Sequence, residues 1–199
     1  MLTLTQYLER ILVWLQLNQP SFASSLQPGL TRLQIQEKVQ NLPLVLSEEF
    51  YELYQWRNGV TYGDENFAIF YPPYTFNSLE FAIEEYYKLI KYAHKFSEQN
   101  WVDPAEIWNN KWLPIFSFDK EYICIISDEN NIEVSQVLHK LMGGGEPIIK
   151  YTSLANMMRT IAECYETGIY YVSEHGDLEI DEIRADQIRL QYNDLFENY

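Results

Sequence analysis

The chain has 199 residues, 47% of them hydrophobic and 16% aromatic, enough for one well-buried core, so a single globular domain over residues 1–199 is expected. Fourteen Lys and Arg against 29 Asp and Glu give a formal net charge of −15. A surface of that sign repels phosphate backbones, which argues against direct binding of DNA or RNA, and it attracts basic proteins, although the same charge also serves plain solubility.

The opening segment lacks a basic leader and a cleavage site, and its apolar run, Ile11 to Leu15, is too short to span a bilayer. Cytoplasmic residence without a membrane span is therefore the expectation. Within residues 4–17, Leu4, Tyr7, Leu8, Ile11, Leu12 and Leu15 recur at helical spacing and predict an amphipathic helix that docks on the domain. Arg10 is its single basic residue, which leaves little to attract anionic lipid. The stretch 19–30, with two prolines, three serines and a glycine, reads as a connector. Thr31 and Gln34 have capping-box spacing, and the helix they open ends before Pro43.

Residues 42–59, LPLVLSEEFYELYQWRNG, form the most sharply bounded stretch. Ser47 is the expected N-cap, Glu48 and Glu49 supply first-turn charge, Phe50, Leu53 and Tyr54 form the apolar stripe, and Asn58-Gly59 the expected left-handed stop. After a turn-like segment, Phe67 to Tyr71 reads as a strand ended by Pro72-Pro73. Residues 77–97 predict a helix from the recurrence of Leu79, Ile83, Tyr86, Ile90 and Ala93, with Asn77 at the N-cap and Lys91, His94 and Lys95 near its end. Asp103-Pro104 opens a short helix.

From Trp112 the pattern becomes that of strands: Ile115 to Phe118, a turn at Asp119-Lys120, then Tyr122 to Ile126, whose unbroken apolar run fits a central strand covered on both faces. That makes Cys124 a core residue; Cys164 is likewise in an apolar context, and neither has CxxC spacing. Residues 134–141 satisfy both a strand and a helix. A turn at Gly143 to Gly145, a strand at Ile148 to Tyr151, a Ser153-capped helix stopping at Gly168, a hairpin of Ile169 to Val172 with Leu178 to Ile180, and a helix from Asp181 with Ile183, Ile188 and Tyr192 as core contacts complete the chain.

No constellation for catalysis, cofactor or metal emerges. The triple glycine is not followed by Lys-Ser/Thr, so it reads as a turn and not a phosphate loop. His94, His139 and His175 have no second ligand at helical or hairpin spacing, and no serine stands in a GxSxG context. Adjacent acids such as Asp64-Glu65, Asp128-Glu129 and Asp181-Glu182 read first as solvated faces; acid–base work would require one to be buried with a shifted pKa. The 16 tyrosines fit a core whose phenolic ends reach water, a composition also favoured at protein interfaces.

Three segments in order, LPLVLSEEFYELYQWRNGV, WLPIFSFDKEYICIISD and EPIIKYTSLANMMRTIAECYETGIYYV, resemble the SUKH superfamily, which includes the fungal cell-wall-assembly and glucan-synthesis regulators and many bacterial relatives. The resemblance covers about residues 29–199 and leaves the N-terminal helix and connector, 1–28, outside. The chain departs from it at Phe118 to Glu121, where the family commonly has Gly-Gly or Asp-Gly. It implies an α+β fold, a mainly antiparallel central sheet flanked by helices, with residues 134–141 as a strand. It also implies no enzymatic activity and no cofactor, and structural roles for Leu42, Pro43, Asn58, Gly59, Trp112 and Pro114.

Since bacterial members include immunity proteins that neutralise toxins, the expected function is non-enzymatic binding of a basic protein partner, with a regulatory scaffold in cell-wall or signalling pathways as the alternative. The expected contacts are the loop acids Asp64, Glu65, Asp128 and Glu129, with Tyr74 as aromatic anchor.

Overall fold

A computed structural model of the chain describes residues 2–60 and 70–193. Asp64 and Glu65, and residues 67–69 of the expected strand, lie outside the described residues. The centre is a five-stranded antiparallel sheet of β3 (Thr75–Phe76), β4 (Trp112–Phe118), β5 (Glu121–Ile126), β6 (Val137–Leu141) and β7 (Ile148–Tyr151), in that spatial order. Residues 137–141 are thus a strand. Pro114, which has no N–H to give the ladder, sits where the β4–β5 register shifts. Asp119 turns the chain between those strands with φ 51°, a conformation that Asp tolerates better than most residues.

β5 is covered on both faces, and its alternate side chains enter two cores. Ile123 and Ile125 face a large core running from Leu4 to Ala185. Tyr122 and Cys124 face a smaller one with Leu89, Ala93, Trp108, Trp112 and Leu138. Both cysteines are buried and free, and burial pushes the Cys164 thiol up to about 12, so neither presents a thiolate.

Helix α1 (Leu4–Asn18) buries all six residues of its expected stripe. It lies along α7 (Leu154–Glu166): Trp14 packs on Tyr165 at 4.5 Å between ring centroids, and Arg10 Nε donates to Glu166 at 2.8 Å. Thr3 and Gln6 form a full capping box that the spacing argument had not singled out. The connector holds more structure than its composition predicts, a short helix α2 (Pro20–Ser25) and a strand β1 (Leu26–Pro28) paired with β2 (Arg57–Val60). α3 (Arg32–Val39) is capped by Thr31 as expected.

Helix α4 (Glu48–Trp56) starts at Ser47 but ends before Asn58-Gly59, because Arg57 turns extended and joins β2. The expected left-handed helix stop is therefore replaced by a different use of the same residues. Asn58 is buried, accepts a hydrogen bond from Leu79 N–H through Oδ1 and donates to Glu80 through Nδ2. Gly59, at φ 69°, lies so close to the next element that a Cβ would stand 2.3 Å from Ser78 N.

The element so clamped is α5 (Leu79–Asn100), capped by Ser78 and not by Asn77. Asn77 is instead fully buried, its amide donating to Pro114 O and its carbonyl accepting from Ser117. α5 runs to Asn100, so Lys91, His94 and Lys95 lie before its last turn.

α6 (Pro104–Ile107) begins at Asp103 as predicted. β8 (Tyr170–Val172) and β9 (Leu178–Ile180) form the predicted hairpin, and α8 (Glu182–Tyr192) closes the described chain. Ile188 packs against the core, whereas Ile183 is 76% exposed and is no core contact. Among the described residues no helix is long and apolar enough to cross a membrane. The architecture is α+β, an antiparallel sheet flanked by helices, with an N-terminal helix packed on it.

Candidate functional site

Asp128 and Glu129 lie in the loop from Ser127 to Gln136, between β5 and β6, and both are exposed. The loop is held on the first turn of α4. Glu48 N–H and Glu49 N–H, donors with no partner inside their own helix, donate to the carbonyls of Ile132 and Glu133 at 2.8 and 3.3 Å. Ser47 Oγ lies 2.7 Å from Ser135 Oγ. The Asp128 carboxylate accepts from Asn130 N–H at 2.9 Å, closing a local turn. Asp128, Glu129 and Glu133 form no ion pair among the described residues, so three carboxylates project from a backbone fixed at both ends. Beside them a recess of about 350 Å³ is lined by Lys111, Asp128, Asn131 and Thr152 among others.

Beneath the loop is Glu49, a first-turn acid of α4 as expected, whose burial the sequence did not indicate. It is 7% exposed and accepts three backbone hydrogen bonds, from Ser135 N–H at 3.1 Å, Leu154 N–H at 2.9 Å and Ala155 N–H at 3.1 Å. Two of those donors are the open first-turn N–H groups of α7, which offset the cost of burying the carboxylate. Burial pushes the Glu49 carboxyl above its ordinary value, and the three N–H groups hold it back. With both carboxylate oxygens accepting from protein backbone, Glu49 joins α4, the acidic loop and α7.

Tyr74 stands elsewhere. It is 9% exposed, stacked on Tyr71 at 5.3 Å between centroids, and its hydroxyl donates to Glu121 Oε2 at 2.8 Å. The same oxygen lies 2.9 Å from His139 Nε2. The Tyr74 hydroxyl and His139 lower the Glu121 pKa, while burial and that carboxylate keep the Tyr74 phenol protonated. Tyr74 also lines a cleft between the Tyr71–Tyr74 turn and α8, described below. Of the described candidates, Asp128 and Glu129 are thus brought together, and Tyr74 is apart from them.

Among the described residues no group of three or more His, Cys, Asp or Glu is placed to hold a metal ion. The triple glycine lets the β6–β7 connection fold back, Gly145 presenting its carbonyl to the buried Lys140 ammonium at 3.0 Å.

A search of curated proteins finds no match. A family model does match, over residues 29–160, about two thirds of the chain, from just before α3 into α7. The chain belongs to the SMI1/KNR4 family (SUKH-1).

Proposed function

We propose that this protein is a non-enzymatic protein-binding domain that acts in the cytoplasm as an immunity protein, neutralising a basic toxin through its acidic loop. SUKH domains are protein-interaction modules with immunity roles, which supports the class. The observation that carries the finer reading is the trio Asp128, Glu129 and Glu133, without an ion pair among the described residues, on a loop anchored to α4 in a chain of net charge −15. Fixed carboxylates of one sign raise the encounter rate with a basic partner and lose little entropy on docking. We count Asp64, Glu65 and Tyr74 as further contacts of the same partner, Tyr74 standing apart from the loop and largely buried. Residues 1–199 are taken as one domain, 1–28 packed on the 29–199 core, a reading that the continuous core from Leu4 to Ala185 supports.

The test is capture with the product of the neighbouring gene, followed by association kinetics of the triple variant Asp128→Lys, Glu129→Lys, Glu133→Lys. On-rate should fall by about tenfold or more at low salt, with a weaker salt dependence. Absence of any basic partner, or an unchanged on-rate, would overturn the immunity reading. A scaffold that dimerises through α1 has less support, since the apolar stripe of that helix is already spent on the domain.

A further inference from the structure

The cleft beside Tyr74 has a volume of about 210 Å³ and is closed by α8 on one side and by the Tyr71–Tyr74 turn on the other. About half of its lining, from β8, β9 and α8, lies beyond the residues 29–160 that match the family model. Its floor is phenolic. Tyr151 is 2% exposed and its hydroxyl lies 3.2 Å from that of Tyr71, so one of the two O–H groups is used between them and the other is left to donate. Tyr170 is 1% exposed, lines the cleft, and its hydroxyl has no hydrogen-bond partner among the described residues.

Two cations face the same space. Arg189 is held by Asp186, with Nε donating to Oδ1 at 3.1 Å. Lys150 is half-buried and pairs with no carboxylate among the described residues. The acids present are Asp186, occupied by Arg189, and Glu182, exposed on the first turn of α8. Asp186 is engaged through Oδ1 alone and Glu182 is exposed, so what the cleft offers an anion is the Lys150 ammonium together with the Tyr170 hydroxyl.

We propose that this cleft is a binding site for a small oxyanion, a carboxylate or phosphate group on a ligand of a few heavy atoms, held by the Lys150 ammonium and the Tyr170 hydroxyl. Burial and the Arg189 charge lower the Lys150 pKa against the opposing pull of Asp186 and Glu121, and a bound anion would favour the charged ammonium. Size limits the ligand: at about 210 Å³ the cleft falls below the roughly 300–1,000 Å³ of pockets for drug-sized ligands. The site shares Tyr74 with the proposed partner contacts but no residue of the acidic loop, so its failure would leave the acidic-loop proposal untouched.

The test is calorimetric titration of the full chain with inorganic phosphate and, separately, with succinate, each against sodium chloride at matched ionic strength. Saturable one-to-one binding of at least one probe is expected, weakened about tenfold or more by Lys150→Met and several-fold by the near-isosteric Tyr170→Phe, and unchanged by Lys111→Met on the far recess. Preference between the probes tells a phosphate from a carboxylate ligand. Unfolding midpoints show whether each variant is folded, and if Lys150→Met fails to fold, Lys150→Gln and Tyr170→Phe carry the comparison. No saturable heat with either probe, or equal affinity in the Lys150 and Lys111 variants, overturns the proposal.

Discussion

At the residue scale Glu49 decides most. A buried carboxylate that accepts three backbone N–H groups is a joint, and the cost of removing it lies in the donors left behind. Glu49→Gln keeps the shape but turns an amide toward N–H groups, so unfolding in urea should show a loss of about 1–3 kcal/mol, with Glu49→Ala at or above the top of that range. Because burial raises its pKa in the folded chain, Glu49 binds its proton more readily folded than unfolded. Its contribution is therefore complete below the ordinary value of 4.5 and is lost as pH rises through the folded value. The gap between wild type and Glu49→Gln should narrow from about pH 4 toward neutrality; a gap that widens would refute that sign. The sequence places Glu49 beside Glu48 in a first turn with no feature to separate them. What separates them are donors 86 and 105 residues away, a tertiary fact that periodicity does not carry.

At the scale of elements, local punctuation was legible at five of the side-chain helix caps, though Thr3 of α1 was not singled out and Ser78, not Asn77, caps α5. Thr31, Ser47, Asp103, Ser153 and Asp181 all accept from the first turn they precede. It misled at Asn58-Gly59, since a residue suited to positive φ reads as a helix stop, and the pairing of β1 with β2 that ends α4 early involves strands of three and four residues. The role found there makes a prediction. Gly59→Ala combines left-handed strain with a Cβ 2.3 Å from backbone, so it should cost on the order of 3 kcal/mol or more. Gly143→Ala has φ 84° with nothing within 4 Å, so it reports strain alone, about 1–2 kcal/mol. Equal losses in thermal unfolding would mean that the close approach of β2 to α5 contributes nothing.

At the scale of the molecule, the order of helices and the central sheet followed from pattern and family resemblance, and what pattern left open was how the N-terminal helix is held. Two kinds of contact join α1 to α7, the buried stripe and the Arg10–Glu166 pair. The pair is partly exposed, at 32% and 44% for its side chains, so solvent screening limits it to about 0.5–1 kcal/mol. Leu8 is fully buried, and truncating it removes both transfer energy and packing, about 2–5 kcal/mol. Leu8→Ala should thus destabilise the fold several times more than Arg10→Met, and a similar loss from both would show that charge, not packing, holds α1. The pH dependence separates them further. Arg10 lowers the Glu166 pKa below its ordinary value of 4.5, so the pair stabilises above that value and its share is lost as pH falls through the folded-state value. In acid, Arg10→Met and wild type should converge in stability, while the Leu8→Ala deficit persists, because methyl groups do not titrate.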